Sequence, residues 1–328
     1  MNALHKNESL LGTKSKMTAI IREWSITIVL LIIWIVLSFV SPYFLTLNNI
    51  TNIFLQCANI MMISIGLTFV LITGQIDLTL GSIEALAGTI TAIAIVKLGL
   101  PFFIAIALAI LVGMACGFFS GVLVARFKFP PFIATLGMQG ITRGIALILT
   151  QGAAILVSTD AFKTLGRGKV FGLLPVPAVI YGIMLILATI VLKYTRFGVN
   201  VYAVGSNEQA TNFSGINVSW IKIAVFMISG AMSACGGIVM AARLGSGNAA
   251  IGDADVMDAI AAVVIGGTSM RGGTGSIRGT FVGVLIIASI RNGLNLLAVG
   301  SYWQMVLIGL IIIGAILIDQ FSKGEITK

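Results

Sequence analysis

Apolar residues along this chain fall into ten long runs, at about 25–40, 53–73, 82–96, 102–125, 132–150, 176–192, 221–242, 256–267, 279–298 and 303–319. A helix needs roughly 20 apolar residues to cross a bilayer, and most of the runs reach or approach that length. The pattern predicts an all-α polytopic membrane helical bundle of about ten transmembrane helices. The runs at 82–96 and 256–267 are too short for a straight crossing. They predict broken or partly inserted helices buried by neighbours, because backbone that is not helical cannot face lipid. The boundaries divide the chain into a tail at 1–24, one membrane domain at 25–320 and a second tail at 321–328. No small-x-small cleavage site follows the first run and further runs do, so it reads as an uncleaved helix.

One polar interruption stands out. Residues 193–222, KYTRFGVNVYAVGSNEQATNFSGINVSWIK, carry charges, amides and glycines between two long apolar runs, so they belong in water. Within them Ser206, Asn207 and Glu208 read as a helix start, since a Ser or Asn side chain accepts free backbone N–H groups and an acid suits the positive helix end. A short helix over 208–214 follows, with Gly215 as its stop.

Composition sharpens the class: 58% hydrophobic and 9% charged residues over 328, with mean hydropathy +1.08, where a soluble domain carries about 25% charge. The net charge of +9 would suggest nucleic acid in a soluble protein, but here it is a topology signal. If all ten runs cross from a cytoplasmic N-terminus, thirteen Lys and Arg lie inside and five outside, with Arg143 and Arg291 within spans. Cytoplasmic loops are the basic ones, so both termini and the 193–222 stretch are placed in the cytoplasm, with no nucleic-acid partner. The loop at 151–174 falls on the opposite side and is long enough to form a small external surface. Cys57, Cys116 and Cys235 sit singly in apolar runs and read as small core residues, with no metal site. His5 reads as a solvated residue of the tail.

Candidate chemistry is sparse. No GxxxxGK[ST] occurs, so the chain does not bind ATP in that way, and no cofactor is implied. No nucleophile stands with a base, which speaks against an enzyme. Asp77 in TGQIDLTLGS is the one acid that reads as intramembrane, with a role in structure or in a pathway. Arg143, with Gln139 and Thr142 near it, forms a polar face at helical spacing, and Thr135 is grouped with it; Arg291 with Asn292 and Asn295 repeats the theme. These polar sets are either pathway contacts or arginines tethered to backbone carbonyls for packing. Asp253, Asp255 and Asp258 read as an acidic cap on the helix that follows. Gly81-Ser82-Ile83 and Gly275-Ser276-Ile277 make a weak internal echo, each after a Gly-rich break.

The phrase YAVGSNEQATNFSGINV at 202–218 resembles the cytoplasmic loop of the permeases of bacterial ATP-binding-cassette monosaccharide importers, the ribose-type permease family. GQIDLTLGS at 74–82, PPFIATLGMQGITRG at 130–144, VIGGTSMRGGTGSIRGT at 264–280 and RNGLNLL at 291–297 fall in that family's order, so the resemblance covers about residues 45–320. It implies a permease subunit in the bacterial cytoplasmic (inner) membrane, driven by a separate ATPase subunit and supplied by an extracytoplasmic sugar-binding protein. It also implies a second permease copy, or a close relative, across one pathway. The docking residues it implies are Asn207, Glu208, Ala210, Asn212, Ser214 and Gly215; Ala210 and Ser214, four apart, would share the partner-facing side. Where family members often carry basic residues, this chain has Val199, Asn200 and Asn212. The competing class is a self-contained secondary sugar transporter, which would need its own intramembrane acid or base; a structural or receptor protein would need more soluble surface than these loops offer.

Overall fold

The computed structural model describes residues 24–322; the polar N-terminal tail, with His5, and the last residues of the C-terminal tail lie outside them. In chain order the helices are α1 (Trp24–Val40), α2 (Leu47–Gln56), α3 (Ala58–Ile72), α4 (Leu80–Val96), α5 (Phe102–Ala125), α6 (Pro131–Thr150), α7 (Asp160–Arg167), α8 (Val176–Tyr194), α9 (Arg196–Ser206), α10 (Glu208–Phe213), α11 (Val218–Leu244), α12 (Asp253–Ile265), α13 (Ile277–Leu296) and α14 (Ser301–Ser322). Five of these, α5, α6, α8, α11 and α13, are long and apolar enough to cross a membrane, and six spans result if the α2–α3 pair, bent by 44° at Cys57, counts as one. α1, α4 and Ser301–Ile311 of α14 are shorter apolar helices. The two runs expected to be short and buried are α4 and α12, and most of both is buried.

α11 is the axis of the bundle, packed against α3, α4 and α5. Its closeness to α5 follows from sequence: Gly113, Gly117 and Gly121 recur every fourth residue, so one side of α5 has no side chains. A Cβ on Gly117 would stand 2.1 Å from the Phe226 carbonyl oxygen, and one on Gly230 would stand 2.1 Å from that of Gly113. With lipid as solvent there is no hydrophobic gain from joining two apolar helices, so close backbone packing holds them.

Contacts between distant segments sort the turns to two ends of the bundle. At one end meet the end of α3, the α8–α11 connection and the turn at 266–276; Arg278 also stacks on Trp24 there, 4.1 Å from the ring centre. At the other, β1 (Ile155–Leu156) pairs antiparallel with β4 (Ser246–Gly247), and Arg167 Nε donates to the Arg243 carbonyl at 2.9 Å. The 151–175 loop is more structured than the sequence suggests. It contains α7 and a second antiparallel pair, β2 (Lys169–Val170) with β3 (Leu174–Pro175). Cys57 and Cys116 are buried and free, as expected.

Candidate functional site

The 193–222 stretch is a chain of short capped helices. Thr195 ends α8 and caps α9, its hydroxyl accepting from the Gly198 N–H at 3.2 Å. The α9 helix itself was not foreseen. Asn207 caps α10 through the Ala210 N–H at 2.9 Å, and Asn217 caps α11 through the Trp220 N–H at 3.0 Å. α10 ends at Phe213, one residue earlier than the expected 208–214, and Gly215 takes the left-handed backbone (φ 81°) that the turn back requires. Glu208 pairs with Lys222 at 2.8 Å, which ties the start of α10 to the second turn of α11.

These helices rest on the bundle backbone to backbone. A Cβ on Gly205 would stand 1.7 Å from the Ile72 carbonyl oxygen and 2.5 Å from the Gly273 nitrogen. Gly273 N–H donates to the Ile72 carbonyl at 2.8 Å, and the Tyr202 hydroxyl donates to the Gly275 carbonyl at 2.8 Å. Burial pushes the Tyr202 phenol above its usual pKa, which keeps the hydroxyl a donor. The end of α3, the end of α9 and the 266–276 turn are therefore one packed unit. The Gly74 and Gly272 backbones also touch, so the two Gly-rich breaks meet. Their echo is not one of capping: Ser276 caps α13 through the Gly279 N–H, whereas Ser82 bonds Thr79 and the Thr142 hydroxyl.

Of α10 only Thr211 is buried; Glu208, Ala210, Asn212 and Ser214 face outward. Sequence reading missed Phe213, which is 88% exposed at the end of this helix. A large aromatic left in water on an otherwise polar loop was the signal available.

The second set of residues lies within the helices. Arg143 donates to the carbonyls of Ala249 and Ile251 and pairs with Asp253. The Arg143 side chain is 17% exposed and that of Asp253 71%. Beside it on α6, Gly137, Gly140 and Gly144 form a strip with no other atoms near. Arg291 Nη2 sits 2.7 Å from one oxygen of Asp258 and 2.8 Å from the other. Asp258 is thus an ion-pair partner, a correction to its reading as part of the helix cap; Asp253 and Asp255 do lie in the first turn of α12. Asn292 exchanges bonds with Asn49, and Asn295 accepts from Gln304 at 2.8 Å. Thr135 is buried and bonds its own helix at the Pro131 carbonyl. Gln139 is half-buried on α6. Asp77 is fully buried, accepting from Thr79 and, at 2.7 Å, from Ser229 of α11. It is not brought together with Arg143 or Arg291.

Asp77 is also not the one buried acid. Asn59 donates to Asp255 at 2.9 Å and to Glu84 at 3.4 Å, and accepts from Arg243 at 3.2 Å. This joins α3, α4, α11 and α12. Glu84 is fully buried beside the Asp255 carboxyl, and no donor reaches its second oxygen. It was hidden because one charge in a 17-residue apolar helix barely alters the run. Among the described residues no group of three His, Cys, Asp or Glu is arranged to hold a metal ion.

Comparison with known proteins places these motifs. The family described as branched-chain amino acid transport system / permease component matches residues 49–316. The ribose import permease protein RbsC of Haemophilus influenzae is 42% identical over 90% of this chain and 92% of its own length. RbsC of Escherichia coli K12 is 40% identical over 95% and 98%, and the D-allose transport system permease protein AlsC of the same organism is 38% identical over 89% and 90%. No solved structure matches the chain.

Proposed function

The chain belongs to the branched-chain amino acid transport system / permease component family, and from that premise we propose how it works as the membrane permease of an ATP-binding-cassette importer for ribose-type sugars. The relatives named for ribose and allose support the substrate class. In this reading α10 docks into a separate ATPase subunit, with Asn207 and Gly215 setting its ends and Ala210, Asn212, Phe213 and Ser214 on the docking surface. Glu208 stays tied to Lys222. An extracytoplasmic sugar-binding protein delivers sugar at the α7 end of the bundle. The ATPase's two-fold symmetry calls for a second permease copy or a close relative. The protein lies in the bacterial inner membrane with α10 and both tails in the cytoplasm, as the bias of basic residues supports. One membrane domain at 25–320 does the transport.

The observation that carries the mechanism is the backbone contact of Gly205 with Ile72 and Gly273. A load on α10 passes through α9 to the end of α3 and to the turn between α12 and α13, with no soft side chain between. Both helices lead to the polar residues inside the bundle. We assign Arg143 and Asp253, with the open glycine strip beside them, to the pathway wall, since a carboxylate exposed within a membrane bundle faces water or a partner. Arg291 and Asn292 hold α13 to α12 and α2, Asn295 and Thr135 hold local turns, and Asp77 braces the α3–α4 break; Gln139 stays with the α6 wall.

Replacing Ala210 with Trp tests the docking role. The variant should insert at normal levels, yet fail to retain ATPase on purification and fail to support uptake. Uptake coupled to ATP hydrolysis in Ala210→Trp would refute it.

A further inference from the structure

The turns at the two ends of α5 are built alike. Before it, the Lys97 and Leu98 N–H groups both donate to the Ile93 carbonyl, Gly99 takes the left-handed conformation (φ 63°), and Leu100 N–H donates to the Ala94 carbonyl at 2.9 Å. After it, the Arg126 and Phe127 N–H groups both donate to the Val122 carbonyl, Lys128 takes the left-handed conformation (φ 57°), and Phe129 N–H donates to the Leu123 carbonyl at 3.1 Å. A proline follows each, Pro101 and Pro130. The first turn has glycine at the position that favours it. The second keeps a lysine there, at a cost in stability that the turn itself does not require. The bias of basic residues towards the cytoplasm explains a cation near this turn, not a cation in that backbone conformation.

Arg126, Phe127, Lys128 and Phe129 are all exposed. Among the described residues neither cationic side chain has a hydrogen-bond or ion-pair partner. The turn joins α5 to α6, both long and apolar enough to cross a membrane, so it stands at headgroup depth. Just before it on α5, Phe118 and Phe119 are exposed on the sides turned from the glycines. The Ser219 hydroxyl donates to the Ala125 carbonyl at 3.4 Å, which places the turn at the same end of the bundle as α10.

We propose that residues 126–129 are a binding site for anionic phospholipid of the surrounding leaflet, with Arg126 and Lys128 on the phosphates and Phe127 and Phe129 among the upper acyl chains. The inference rests on the reading that α5 and α6 span the membrane. Water offers nothing to the two phenylalanines, and a neutral membrane surface offers little to two unpaired cations. An anionic leaflet takes both, since cations beside the end of a span are drawn to its surface potential while apolar side chains enter the interface. The lysine is kept in a glycine's place because its charge is used.

Native mass spectrometry of the full chain in detergent, doped equally with phosphatidylglycerol and phosphatidylcholine, tests this. Wild type should hold phosphatidylglycerol severalfold over phosphatidylcholine. The double variant Arg126→Gln/Lys128→Gln should lose most of that excess, while Lys97→Gln, on the matching turn, should keep it. Lys128→Gly should unfold in detergent at the same or a higher temperature than wild type, yet hold less phosphatidylglycerol. An undiminished excess in the double variant, or an equal loss in Lys97→Gln, overturns the site. A Lys128→Gly variant that unfolds earlier shows that the lysine serves the turn, and overturns it too. ATPase capture in lipid-free detergent separates a protein partner from a lipid one: the double variant should capture as wild type does, and a loss there would put the turn against the ATPase and refute the lipid site. Capture by wild type reads the transport assignment separately, since lipid selectivity can fail while capture persists, and the reverse.

Discussion

The docking platform and the polar cluster inside the bundle are built on opposite principles. In the platform, α9, α10 and α11 each have a side-chain cap, and the surrounding segments touch through glycine backbones. In the cluster, Glu84, Asp255, Asp258, Arg243 and Arg291 are ionisable groups drawn among apolar helices, where no donor reaches the second oxygen of Glu84 and no acceptor reaches Nε of Arg291. A capped unit packed backbone to backbone moves as one body. A region with unmet polar groups has less to lose by rearranging, since an opened state hydrates what the closed state leaves bare. The difference suits a transmitter at one end and a moving element in the middle.

The largest effect should come from breaking the buried pair. Arg291→Met leaves Asp258 uncompensated and should destabilise the fold by about 3 kcal/mol. Adding Asp258→Asn should recover much of that, so a double-mutant cycle on thermal unfolding in detergent gives a large coupling. Additive effects would mean that the pair is not what holds α12 to α13.

Next is the platform contact. Gly205→Ala puts a Cβ into the Ile72 carbonyl and should cost about 2 kcal/mol by overpacking. Uptake should fall more than binding of the ATPase, because α10 itself is untouched. Equal losses of both would make Gly205 part of the docking surface.

Much of this was legible beforehand, and the reason differs from place to place. Spanning helices show as apolar runs because lipid asks the same of every face. α10 was visible because Asn207 and Gly215 are punctuation with a local cause. α9 was not: RFGVNVYAVGS mixes glycines, an Asn and β-branched residues, and it is a helix because Gly198 and Gly205 let it pack against Leu192 and Ile72. The Arg291–Asp258 and Asn59–Asp255 contacts join residues 33 and 196 positions apart. No local pattern records such pairs, and Asp258 therefore read as part of a helix cap.

The smallest effects set the two regions against each other in sign. Asn207→Ala removes a cap and should destabilise by about 1 kcal/mol. Glu84→Gln keeps the shape, gives the side chain an N–H that can donate to the Asp255 carboxylate beside it and should stabilise by about 1 kcal/mol. Unfolding midpoints of the two variants should move in opposite directions; a shared direction would erase the contrast drawn between the regions.

The central claim is that α9, α10 and the 266–276 turn travel as one rigid body. Spin labels at Gln209 and Thr274, both exposed, read it directly by pulsed electron resonance in the assembled importer. The distance between them should stay within about 1 Å, with an unchanged width, between the nucleotide-free and ATP-bound complexes. A shift beyond about 2 Å, or a second population appearing with ATP, would mean that α10 moves on its own and that force does not pass through Gly205.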